Sequence, residues 1–185
     1  MTNGTSFQGM PRAQQSAVFS ACRQYRYLLE LQWGGAPLVG FVCHNPSLAT
    51  ESRVDHTVSR LRNLAIRWGF GGMLLANRFA GGRSPTVADL DEMSDPVGPE
   101  NFAHLAKLAE RSDTIVVAWG DLPALTEHTE RVVRTLLESK KPLYCLGVTA
   151  SGSPKHPSAR GRNAVPVDVK PVVWRVVSPP GAQAI

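Results

Sequence analysis

Four polar clusters follow apolar runs in this chain, and the residue types in them are suited to one kind of chemistry. His44-Asn45-Pro46-Ser47 follows "LVGFVC", Asn77-Arg78-Phe79 follows "MLLA", Trp119-Gly120-Asp121 follows "TIVVA", and His156-Pro157-Ser158 lies in "TASGSPKHPSA". A carboxamide carries a donor and an acceptor side by side, so Asn45 and Asn77 can read the edge of a nucleobase. Phe79 or Trp119 can stack on its face, and His156 can stabilise charge on a departing base or contact a phosphate. The competing readings are structural: Asn-Pro starts many turns, Asn77 can end a strand, and Phe79, Trp68 and Trp119 can be packing residues.

Other chemistries have less support. His44, His56, His104, His128 and His156 never stand in an H-x-x-x-H or H-E-x-x-H arrangement, and Cys22, Cys43 and Cys145 form no C-x-x-C pair. That argues against zinc and against a disulfide framework, and the cysteines are expected to be reduced and mostly buried. "GFGG" precedes a strand instead of opening a helix, so neither ATP nor a dinucleotide has its usual phosphate loop, and no cofactor is expected. Ser47, His156 and Asp55 can imitate a hydrolase triad, although Ser47 lacks the flanking glycines of a nucleophile elbow.

The elements that must position these clusters follow from periodicity. Residues up to about Ala17 read as a loose arm, 18–178 as one α/β domain and 179–185 as a Pro/Gly tail. "YRYLLELQW" and "PLVGFVCH" flank Gly34-Gly35 and predict a β-hairpin. Val58, Leu61, Leu64 and Ala65 fall at helical spacing between Asp55 and Arg67, with Asp55 at or near the N-cap. Further strands are expected at "MLLAN", "TIVVAWG" and "PLYCLG", helices over 101–109 and 126–138, and an edge strand in the last stretch. Strands alternating with helices predict a mainly parallel central sheet with helices on both faces, a three-layer α/β/α sandwich. Ligands of such sheets bind at the carboxyl ends of the strands, where all four polar clusters fall.

With 43% hydrophobic and 19% charged residues, the 185-residue chain has the composition of a globular domain. It lacks a run of roughly 20 apolar residues, so a membrane is not an expected partner. The first residues do not resemble a secretory signal, which makes the cytoplasm the expected location. A formal charge of +5 suits a phosphate-bearing partner, with Arg160 and Arg162 the natural phosphate contacts.

The ordered succession "RYLLELQW", "NPSLAT", "DHTVSR", "RWGFGGMLLANRFA", "DPVGPEN", "VVAWG" and "LGVTASGSPKHPS" resembles a bacterial and phage family catalogued as domain of unknown function 1643. More distantly, "FVCHNPS" and "HPSA" are similar to the first and closing motifs of the uracil-DNA glycosylase superfamily. That resemblance implies a glycosylase-like fold in which the first motif positions the hydrolytic water, an aromatic stacks on the base and an asparagine reads its edge. The closing histidine supports the leaving base. By position these are Asn45, Phe79 or Trp68, Asn77 and His156, with Ser47 where those enzymes usually have glycine.

The sequence therefore predicts a nucleobase-binding protein acting on nucleic acid or a nucleotide and hydrolysing an N-glycosidic bond. Asn45, Asp55 and His156 are the catalytic candidates. His44, Pro46, Ser47, Asn77, Phe79, Trp119 and Ser158 are the binding candidates. The alternatives are a non-catalytic module recognising modified or single-stranded nucleic acid, and a serine-dependent hydrolase.

Overall fold

A computed structural model of the chain describes residues 13–35, 37–46, 56–82, 90, 93–121 and 126–177. The described residues form one seven-stranded sheet and three α-helices. The strands are β1 (Gln14–Phe19), β2 (Arg26–Gln32), β3 (Leu38–Cys43), β4 (Gly72–Asn77), β5 (Thr114–Val117), β6 (Leu143–Cys145) and β7 (Val172–Arg175). The helices are α1 (His56–Arg67), α2 (Asn101–Arg111) and α3 (Thr126–Leu137).

Strand order is β1-β2-β4-β3-β5-β6-β7. The strands β4, β3, β5 and β6 are parallel to one another. The β1–β2, β2–β4 and β6–β7 pairings are antiparallel. The sheet is thus a mixed one, parallel only at its centre, and the expectation of a mainly parallel sheet is corrected by the strands on its flanks.

The predicted hairpin is also corrected. β2 and β3 run in opposite directions but do not pair, because β4 lies between them, Leu75 facing Leu29 on one side and Phe41 on the other. Burial explains the order: every residue of β4 is buried, and a strand without an exposed face has its place in the middle of a sheet. Gln14 to Ala17, expected in a loose arm, lie in β1 and pair with β2, and residues 1–12 of that expected arm lie outside the described residues. β7 is the expected edge strand.

Alternate residues of the same strands feed two apolar clusters. Phe41, Met73, Leu75 and Val116 meet α1 through Val58, Leu61, Leu64 and Ala65, the residues its sequence period marks. Val42, Leu74, Ile115 and Val117 meet α2 and α3 through Leu105, Leu108, Val132 and Leu136. A strand alternates its side chains between faces, so the clusters lie on opposite sides of the sheet. At Gly40 the sheet comes close to α2: a Cβ there would lie 2.4 Å from Ser112 Oγ and 2.5 Å from Leu108 Cδ2, so both side chains would have to shift.

Cys43 and Cys145 are buried and Cys22 is exposed, none of them in a disulfide. Among the described residues no helix is long and apolar enough to cross a membrane.

Candidate functional site

The chain runs from β3 to β4 on one side and then crosses to β5 on the other. The β3–β5 boundary is therefore the point where the direction of winding reverses, and ligands of open α/β sheets bind outside the carboxyl ends there. Backbone bonds carry the strands into this region. Arg78 N–H donates to Cys43 O at 2.9 Å, Phe79 N–H to His44 O at 3.0 Å and Ala118 N–H to Val42 O at 2.8 Å. Gly120 N–H donates to Pro154 O at 2.9 Å, which ties the segment after β5 to the one carrying His156. Gly120 has φ +87°, and a Cβ there would lie 3.2 Å from His156 Cβ, so this close approach needs glycine.

Arg78 is the centre of the cluster. Its carbonyl accepts from Asn101 Nδ2 at 2.9 Å and His128 Nε2 at 2.8 Å, so that β3, α2 and α3 all fix its backbone. Only 4% exposed, its guanidinium donates to Thr129 Oγ1 at 2.6 Å and to His44 Nδ1 at 2.9 Å. It also lies 5.7 Å from the Phe79 ring centroid and 5.4 Å from that of Trp119. Burial pushes its pKa down to about 10, which leaves it charged at neutral pH.

His44 is 8% exposed. Burial, with Arg78, His156 and His128 nearby, pushes its pKa down to about 4, so at neutral pH the ring is uncharged. A guanidinium can only donate, so Nδ1 is the acceptor and the ring proton sits on Nε2. That Nε2 is buried and has no hydrogen-bond partner among the described residues. His156 is half-buried, and its Nδ1 accepts from Ser158 N–H at 3.2 Å, which fixes Nδ1 as an acceptor here too.

Asn77 ends β4 opposite Cys43 and is 2% exposed. Its Nδ2 is a second buried donor with no partner among the described residues, while its carbonyl accepts from Asn101 Nδ2 at 3.1 Å. Asn45 is half-buried and Pro46 buried. The Asn45 Nδ2 lies 3.9 Å from where a Cβ of Gly82 would stand.

The aromatic candidates are engaged already. Phe79 is 4% exposed, stacked on His128 with centroids 4.6 Å apart and edge-on to His44 at 5.3 Å. Trp119 is 3% exposed and meets Trp174 edge-on at 5.4 Å. Trp68 packs on Phe41 and donates its Nε1–H to Val169 O, within the cluster on the α1 side.

Ser158 joins the site to the start of α1, its Oγ lying 3.3 Å from His56 Nδ1 and 3.1 Å from Thr57 Oγ1. Beyond that contact an open cleft of about 260 Å³ follows α1, lined by His56, Ser59, Arg60, Asn63, Arg67 and Val167 among others. Arg160 and Arg162 are exposed on the segment that follows His156. Ser47 and Asp55 lie outside the described residues.

The cluster thus brings together His44, Phe79, Trp119 and His156, with Asn77 at the adjoining strand end. Sequence reasoning missed Arg78 and His128. Arg78 stands inside a cluster that its position singles out, but its burial, imposed by α2 and α3, is not displayed by any local pattern. His128, in "TEHTE", has no spacing that links it to the other clusters. Among the described residues no group of three or more His, Cys, Asp or Glu side chains is placed to hold a metal ion.

No curated protein and no solved structure matches this chain. The model of the family described as Protein of unknown function (DUF1643) matches residues 26–158, most of the chain, and the protein belongs to that family.

Proposed function

We propose that the cluster at the carboxyl ends of β3, β4 and β5 binds a nucleobase, carried by nucleic acid or a nucleotide, and hydrolyses its N-glycosidic bond. The observation that carries this reading is the Asn77 carboxamide: a side chain 2% exposed at a strand end, whose Nδ2 has no hydrogen-bond partner among the described residues. A buried donor left unmade costs about 1–3 kcal/mol, and a ligand acceptor at that point removes the cost. A base edge offers such acceptors beside donors that a carboxamide oxygen can take.

In this mechanism the base departs as the sugar gains oxocarbenium character. Asn45 or Asp55 orients the water, whose oxygen bonds to the anomeric carbon as the carbon–nitrogen bond breaks; His156 stabilises the charge that develops on the base, and the proton the water loses passes to that base. Phe79 and Trp119 wall the site and limit water around the reacting bond. The three-layer, glycosylase-like architecture belongs to the same proposal, supported by the apolar clusters on both faces of the sheet and by the position of the winding reversal.

Single-turnover base release from oligonucleotides containing uracil, hypoxanthine or an alkylated base, and from the matching nucleotides, tests the proposal. Release from at least one, reduced about a hundredfold by His156→Ala, is the expected result for loss of one transition-state contact. Tight binding without release from any of them would instead establish the recognition module.

A further inference from the structure

We propose that Arg78 sets the ligand class of this site: its buried guanidinium holds His44 as a neutral Nε2–H donor, and together they select a ligand presenting an anionic oxygen. The inference rests on the strand ends being a ligand site, but not on the ligand being a base.

The geometry is the argument. Arg78 donates from its two terminal nitrogens to Thr129 Oγ1 and His44 Nδ1, has a buried Nε with no partner among the described residues, and meets the rings of Phe79 and Trp119. Its carbonyl is held by α2 and α3, so the side chain is anchored close to the strand ends. Among the described residues no carboxylate faces it, and a buried cation without a counter-charge is costly unless something anionic approaches. The groups facing His44 are Arg78 at the end of β4, His128 from α3 and His156 from the segment after β6, all cationic when charged. Each opposes a second proton on His44, which therefore remains a donor at Nε2. Asn77 Nδ2 adds another donor at the adjoining strand end.

In this cluster His44 Nε2, Asn77 Nδ2 and Arg78 Nε are left without a partner among the described residues; all three are donors, and an anionic ligand brings the acceptor they lack. Two sources share that chemistry: a phosphate, or a base oxygen carrying negative charge as the glycosidic bond breaks. In both cases Arg78 acts as a positioning residue through His44.

Long-range ¹H–¹⁵N spectra of the histidine rings test the first half directly. In the wild-type protein, His44 should keep its proton on Nε2 and show no titration from pH 5 to pH 8. A His44 that titrates in this window, or carries its proton on Nδ1, overturns the proposal. In Arg78→Gln the His44 pKa should rise towards its ordinary value, and Arg78→Lys should restore part of the difference.

The second half is read by adding inorganic phosphate, barbiturate as an anionic pyrimidine, or uridine as a neutral one. At least one anion should move the His44 Nε2 signal, with affinity reduced about tenfold or more in Arg78→Gln, the loss expected for a charge-assisted contact. Phosphate alone moving the signal identifies phosphate as the source, and barbiturate alone identifies the base oxygen. If neither anion moves it, or uridine binds as tightly as both, Arg78 does not set the ligand class. If phosphate binds and no base does, this inference stands while the base reading falls.

Discussion

Asn77 and Arg78 are adjacent and equally buried in effect, yet a sequence reveals them unequally. A polar residue ending an apolar strand is visible by its type alone, so Asn77 was legible. An arginine at the next position reads as an ordinary surface cation, and its burial is imposed by α2 and α3, whose packing no local pattern displays. Asn77→Leu should separate function from folding. Replacing an amide whose buried Nδ2 has no partner among the described residues by an apolar group of similar volume removes a desolvation cost of about 1–3 kcal/mol, so the melting temperature should hold or rise while base affinity falls. Thermal unfolding and equilibrium binding, measured on the same preparation, check this. A loss of stability as large as that of an ordinary core truncation would mean that Asn77 serves the fold and not a ligand.

Elements were read most securely where periodicity and burial agree. The residues of α1 spaced for one face, Val58, Leu61, Leu64 and Ala65, are the residues it buries. The β2–β3 hairpin was misread because two strands flanking Gly-Gly suggest pairing, whereas the fully buried β4 takes the place between them through contacts far apart in sequence. The expected strand through Trp119 ends instead at Val117, which frees Gly120 to turn towards the segment carrying His156. Gly120→Ala tests that turn. A left-handed backbone costs a residue with a Cβ about 1–2 kcal/mol, and the new methyl would press on His156. The variant should lose about that much unfolding free energy, melt lower, and lose base release out of proportion, with affinity for the base less affected. Ser158→Ala, which removes the contact with His56 and Thr57, should cost about 1 kcal/mol and loosen the His156 segment from α1, visible as faster amide exchange at both.

Across the whole molecule, the buried histidines make stability depend on pH. His44 is pushed down to about 4 in the folded protein, and burial lowers His104 and His128 as well. The unfolded chain binds these protons first as pH falls, so stability should be full above the ordinary histidine range and decline from about pH 6.5 towards pH 4. Each histidine contributes at most about 1.4 kcal/mol per pH unit to that slope, and His44→Gln should flatten it, as denaturant unfolding at several pH values would measure. The same cluster bears on function, because its buried donors, His44 Nε2 and Asn77 Nδ2, meet no acceptor among the described residues. The most direct measurement is a crystal structure of the protein with a nucleobase or nucleotide bound. The expected result is a base within hydrogen-bonding distance of Asn77 Nδ2, with His44 Nε2 or His156 at one of its oxygens. A ligand seated only in the cleft along α1, with the Asn77 and His44 donors untouched, would contradict the account.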